Sequence, residues 1–245
     1  MKPIKLKCKV LTFDARLDRI PDLDERNWNF PVRDAVPRKP RSWSWRCQKH
    51  LNQKKEGSCV GHGISHELIA KPVECLSVDH EYARQLYFDA QRTDGMPGGS
   101  YPGAFPFYEG TSVKAGMNVA RKRGLFDSFL WAFSLLDVLN GISWLGPAVF
   151  GIDFYEGMMR TDDKGFIHPT GSVMGGHCIL GKSIKVVSGA SKGFVTLHNS
   201  WGEEWGMGGD AYLNFDELEE ILKNKGECSF AQGRHPLPKT TRRKR

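Results

Sequence analysis

The stretch Asn52-Gln53-Lys54-Lys55-Glu56-Gly57-Ser58-Cys59-Val60-Gly61-His62-Gly63 puts a cysteine where a polar, glycine-bearing loop hands over to a helix. Val60, Ile64 and Leu68 recur every four residues and Pro72 stops the pattern, so the helix starts at Cys59. Unpaired N–H groups and the helix dipole at such a start favour a thiolate over a thiol. Gln53 can aim an amide N–H₂ at the same point. A cysteine taken alone is more often a buried, inert packing residue. Partners elsewhere in the chain decide whether this one is a nucleophile.

The chain has 245 residues, enough for one large domain or two small lobes around a substantial core. The apolar run Gly141 to Ile152 is too short to span a bilayer, so no membrane partner is expected. Met1 to Asp14 alternates lysine with apolar residues and has no continuous apolar segment. That predicts no signal peptide and a cytoplasmic location, the host-cell cytoplasm if the chain is phage-encoded.

Six cysteines (Cys8, Cys47, Cys59, Cys75, Cys178 and Cys228) contain no C-x-x-C pair. With Cys59 free an odd number remains, and all are read as reduced thiols. The net charge of +7 comes from the ends, Lys2 to Lys9 and Lys239 to Arg245. Residues 236–245 read as a disordered basic tail rather than a nucleic-acid contact, because no aromatic residues interleave the charges.

Residues 1–40 show little periodicity and read as an extended arm anchored by Trp28 and Phe30. With few other apolar residues to offset the entropy of ordering, the arm is expected to strap the outside of the molecule and leave any cleft open. After the Cys59 helix, Ser77 to His80 starts a second helix carrying Tyr82, Leu86, Tyr87 and Ala90. Thr111 caps a third helix, with Gly124 just past its end, and Ser134 starts a short one over Leu135 to Leu139.

Then the period changes. Pro147 to Ile152, Gly165 to Ile167, His177 to Val187, Gly193 to Leu197 and Asp210 to Asn214 read as strands, and Asp216 opens a last helix. Helices first and antiparallel strands later make an α+β pattern with two segregated halves.

Two downstream blocks complete the chemistry: Gly175-Gly176-His177-Cys178, and Asn199-Ser200-Trp201-Gly202-Glu203-Glu204-Trp205-Gly206. With Gln53-x5-Cys59 upstream, in the order Cys, His, Asn, the chain resembles the papain-like cysteine peptidases (C1 family), in particular the compact bacterial and bacteriophage type. The resemblance covers roughly residues 41–230. It implies a two-lobe fold: a helical lobe over about 41–140 and an antiparallel, barrel-like β lobe over about 141–235, with a cleft between them.

It also implies roles. Cys59 is the nucleophile and His177 its proton partner. Asn199 orients the imidazole, and Trp201 covers that bond. Gln53 and the Cys59 N–H make the oxyanion hole. Gly110 and Gly176 touch a protein or peptide substrate. No cofactor and no metal are implied, and a monomer is expected.

Three positions depart from the pattern. Val60 replaces the usual tryptophan, Lys54 the usual glycine, and Gly176 the usual Asp or Asn.

Other readings compete. His62 and His66, at i and i+4, are half of a zinc site, but Gly63 stands where a zincin has Glu. Cys178 and His198 should face away from His177 and Asn199 by strand alternation. The same triad also suits an acyl or amide transferase or an isopeptidase. A non-enzymatic binding module is disfavoured because every chemical position is filled.

Overall fold

The computed structural model describes residues 14–36, 39–188 and 192–236. Cys8, the turn at 189–191 and the basic tail from 237 lie outside the described residues. In order, the elements are α1 (Val32–Ala35), β1 (Trp43–Ser44), α2 (Cys59–Ile69), α3 (His80–Gln91), α4 (Val113–Lys122), β2 (Phe126–Trp131) and α5 (Leu135–Trp144). They continue with β3 (Ala148–Tyr155), β4 (Val173–Ser188), β5 (Lys192–His198), β6 (Asp210–Asn214), α6 (Phe215–Lys223) and β7 (Glu227–Arg234).

Side-chain caps set several helix starts. Asp79 accepts from the Tyr82 N–H at 2.9 Å, Ser112 from Ala115 at 3.1 Å and Ser134 from Asp137 at 3.1 Å. The third helix is thus capped by Ser112, one residue later than the expected Thr111. The fourth runs on through Asn140-Gly141, because Val138, Leu139 and Ile142 are buried in the core. Helix α2 is buried at every position rather than along one stripe.

Seven antiparallel strands form one sheet in the order β2-β7-β3-β4-β5-β6, with β1 pairing β4. The path is open among the described residues. Strands β3 and β4 are apolar on both faces because the sheet lies between two cores. Val149, Cys178 and Leu180 join Ile64, Leu68, Leu86 and Met117 of α2–α4. Phe150, Ile152 and Ile179, on alternate positions, join Leu139, Leu213, Phe215 and Phe230. Each fully buried side chain of this size contributes about 1.5–3 kcal/mol of burial.

Strands β2 and β7 carry no clear alternation, and the sequence reading missed both. Gly165 to Ile167, expected as a strand, makes only an isolated bridge, Phe166 to Tyr212. Strand β2 and the first six residues of helix α5 fall within 41–140, yet one pairs with β7 and the other packs in the second core, so the two halves interlock. No helix among the described residues is long and apolar enough to cross a membrane.

The Arg234 Nε donates to Glu67 Oε1 at 2.6 Å, tying β7 to α2 with the Glu67 carboxylate buried. Arg234→Met would leave the Glu67 carboxylate buried without its partner. The expected loss is about 3–5 kcal/mol, measured as a lower urea midpoint at unchanged slope.

The arm departs most from expectation. Trp28 and Phe30, the expected anchors, are 70% and 57% exposed. Leu17 and Arg19 are buried instead. The arm does not strap the outside: residues 14–20 pass between the helical half and the sheet. Backbone pairing carries it there more than apolar contact does. The Arg19 N–H donates to the Gly176 carbonyl at 2.9 Å and the Ile20 N–H to the Thr111 carbonyl at 3.0 Å, both in parallel register.

Candidate functional site

The track of the arm collects the residues singled out in the sequence. Gln53 is held by its backbone N–H to the Ser200 carbonyl at 2.8 Å and by its Oε1, which accepts from the Ser200 hydroxyl at 2.6 Å. Its Nε2 then donates to the Glu56 carbonyl at 2.9 Å and to the Arg16 carbonyl of the arm at 3.1 Å. Next to it Lys54, in place of the usual glycine, is held at φ 55°, a left-handed conformation that strains a residue with a Cβ. Cys59 opens α2 and is fully buried.

His177 lies on β4, where its Nε2 meets Asn199 Oδ1 at 2.8 Å. The same oxygen accepts from the Ser200 N–H at 2.8 Å, which fixes it as the acceptor and the imidazole Nε2 as the donor. Phe154 meets the imidazole edge-on at 5.1 Å and the Trp201 ring lies 5.0 Å from it. These rings keep water from the His–Asn bond. The Arg16 guanidinium stacks over Trp201 at 4.0 Å.

The two glycines face the arm. A Cβ on Gly110 would lie 2.0 Å from the Asp18 carbonyl oxygen, and one on Gly176 2.1 Å from that of Arg19. No residue with a side chain could let the arm pass so close. The backbone pair itself is made by Thr111 rather than Gly110.

Electrostatics at the site reverse the expectation from the helix start. Burial under the arm pushes the Cys59 thiol up to about 11, against hydrogen bonds from the Cys178 and Asp18 backbone that favour the thiolate. Burial likewise takes the His177 imidazole down to about 4, with Asn199 opposing. The helix dipole is outweighed because both side chains are fully buried. With the arm in place, both groups are neutral near pH 7.

Asp18 reports on the docked arm. Burial, then the Glu109 and Asp14 carboxylates, raise it from 3.8 to about 6. Its contribution to docking is therefore full below 3.8 and lost as pH rises through about 6. The His177 imidazole, taken from 6.5 to about 4 by the same cover, pulls the other way, because its protonation favours the open form as pH falls. The Asp18 share is therefore read as a difference: the accessibility of Cys59 to a neutral thiol reagent in the wild type, divided by that in Asp18→Asn, should rise as pH goes from 3.8 to about 6 and level off above.

The rival sites resolve differently. The His62 ring engages the Ser58 carbonyl at 2.9 Å and His80 Nδ1 at 2.9 Å, and His66 Nε2 accepts from the Leu51 N–H at 2.9 Å. Cys178 and His198 both point away from the cleft: Cys178 into the helical core, His198 to Asp210 Oδ1 at 2.7 Å. Among the described residues, one trio (His50, His198 and Asp210) has donor atoms within 4.8 Å of one another. The Lys182 ammonium, 2.5 Å from Asp210, already supplies that carboxylate's cation. Cys47, Cys59, Cys75, Cys178 and Cys228 are buried free thiols.

Solved structures share this fold. The chain overlays on xylellain, a cysteine protease from Xylella fastidiosa, with a TM-score of 0.66 at 12% identity, over 91% of this chain and 98% of that one. The fold is papain-like. The papain-like architecture also overlays on digestive procathepsin L2 proteinase from Tenebrio molitor larval midgut, with a TM-score of 0.52 at 16% identity over 93% and 81% of the two chains. A structure from a comparison of the mite allergens Blo t 1 and Der p 1 gives 0.51 at 12% identity over 90% and 76%. No protein-family model and no curated protein matches the sequence.

Three participants were not found from sequence. Arg16, Asp18 and Arg19 lie in a segment whose role comes from pairing with distant backbone, and no local pattern marks it.

Proposed function

We propose that the chain is a cysteine peptidase that hydrolyses peptide amide bonds through a thioester, with residues 41–235 as the catalytic unit and the arm as its inhibitory cover. The observation that carries this is the His177–Asn199 bond together with the Gln53 amide, which donates to the Arg16 carbonyl of the arm, in a chain whose Cys59 opens α2. That carbonyl belongs to Arg16 in the covered form and stands in for a substrate carbonyl.

Once a peptide replaces the arm, the Cys59 proton passes to His177. The sulfur bonds to the carbonyl carbon, and the oxyanion is held by Gln53 and the Cys59 N–H. Collapse breaks the C–N bond, and His177 returns the proton to the leaving amine. Water, deprotonated by His177, then cleaves the thioester and regenerates the thiol. Asn199 holds the ring in the tautomer this needs, and Trp201 shields that bond.

The test is a peptide amide given to the chain with its arm loosened, followed by mass spectrometry. An acyl adduct on Cys59 that decays to free acid supports the proposal. Decay to an amide with an added amine would identify a transferase instead, and no adduct on Cys59 would overturn the mechanism.

A further inference from the structure

We propose that His50, His198 and Asp210 form a binding site for a divalent transition-metal ion of the zinc class, and that Lys182 holds the ion's place until it binds.

His198 closes β5 and Asp210 opens β6, and the strand register sets them opposite each other. The His198 Nδ1 lies 2.7 Å from Asp210 Oδ1. His50 comes from the loop ahead of Gln53, and its ring lies against that of His198 at 4.1 Å. One donor atom from each of the three lies within 4.8 Å of the other two. A tetrahedral zinc ion sets its donors about 3.3 Å apart, so small side-chain turns bring these three onto one ion. Two imidazoles and a carboxylate suit zinc better than magnesium or calcium, which take oxygen ligands.

The surroundings of the three side chains also point to a ligand. His50 Nδ1 is buried and has no hydrogen-bond partner. Gly209, the residue before Asp210, admits that ring, since a Cβ there would lie 2.3 Å from His50 Nδ1. His198 is fully buried, and its Nε2 lies 3.4 Å from the Lys49 carbonyl. With an ion on Nδ1 the ring carries its hydrogen on Nε2, facing that carbonyl, which is the outer contact that ligating histidines make. The His66 ring backs His198 at 4.5 Å and fixes its plane.

Lys182 shows that the cluster calls for a cation. Its ammonium lies 2.5 Å from Asp210 Oδ2 and 3.4 Å from His198 Nδ1, against two of the three ligands. The fit is poor on one side. The His198 Nδ1 that donates to the Asp210 carboxylate has no lone pair to offer the ammonium. A divalent ion bonds to both groups: the ring hydrogen moves from Nδ1 to Nε2, and the ammonium turns out to water. The lysine side chain is 15% exposed, at the edge of the cluster, so the way out is short. The bound ion ties the loop ahead of Gln53 to the β5–β6 pair.

The experiment uses the full chain with Cys59→Ala, which removes the cleft thiol as a rival ligand, and titrates zinc chloride against a chromophoric chelator. Expected is one ion per chain whose affinity His50→Ala and Asp210→Asn each lower by about tenfold or more. Lys182→Met removes the resident cation and should tighten binding by about tenfold. Cobalt(II) in place of zinc should give the visible absorption of a tetrahedral site, and His50→Ala should lose it. Zinc should raise Tm in the parent chain and leave His50→Ala unmoved.

Zinc affinity equal in the parent, His50→Ala and Asp210→Asn puts the ion elsewhere and overturns the proposal, as does a Lys182→Met chain that binds no tighter. If Asp210→Asn does not fold, because it loses the ion pair with Lys182, His50→Ala decides the matter. Its Nδ1 has no hydrogen bond to lose, and an unchanged affinity there overturns the site.

Discussion

Loosening the arm with Arg19→Ala is expected to raise the alkylation rate of Cys59 near pH 7.5 by about tenfold, while Cys47, Cys75, Cys178 and Cys228 stay unlabelled. The size follows from the long contact Arg19 makes with Glu227, 3.4 Å from Nη1 to Oε2. Burial already raises Glu227 to about 7, so its carboxyl takes up a proton when the cation is lost and the full cost of an unpaired buried charge is not met. What the docked arm loses is the modest worth of the pair and the packing of the buried arginine stem. A loss of about 1.4 kcal/mol multiplies the open population by about ten.

The thiol also changes chemically on opening. Burial holds Cys59 up at about 11 and His177 down at about 4, and both shifts relax when water enters. The thiolate fraction then rises along with the access. Peptide mapping of the labelled chain checks the site. An unchanged Cys59 rate would mean the arm is held by its backbone pairs to Thr111 and Gly176, with Arg19 adding little.

In the same loosened chain, His177→Ala is expected to lower kcat/KM on a peptide amide by about 10²–10⁴-fold, the range of general acid–base catalysis. Asn199→Ala should cost less, because Asn199 orients the ring and moves no proton. Gln53→Ala should fall between, at about 10²–10³-fold in kcat, as for one oxyanion donor. Burst kinetics separates the roles: His177→Ala should abolish acylation, and Asn199→Ala should slow it and leave an observable thioester. Near-wild-type turnover in His177→Ala would exclude it as the proton carrier.

Much of the candidate site could be read from local rules. A polar, glycine-bearing loop ending at Cys59 announces a helix start, whatever surrounds it. Strand alternation alone turns Cys178 away from His177, and His198 away from Asn199. The Asn199–Gly206 block is specific enough to carry a resemblance by itself. These inferences hold because helix and strand periods are properties of a few consecutive residues.

Helix α5 shows where such rules end. Asn140-Gly141 is a fair stop signal, but the β core buries Val138, Leu139 and Ile142 and carries the helix through it. Strands β2 and β7 were invisible for a related reason: their pairing supplies an order that neither segment shows alone.

The sequence by itself determined the place of Cys59 at a helix start, the Cys, His, Asn order and the α+β succession of elements. The path of the arm was decided only in three dimensions. Its hold comes from backbone pairs to Thr111 and Gly176 and from Arg19 reaching Glu227, all contacts between residues far apart in the chain. The charge state of Cys59 was decided there too. A helix dipole is a local property, whereas desolvation depends on whatever covers the site, and here the covering segment reverses the thiol's expected ionisation.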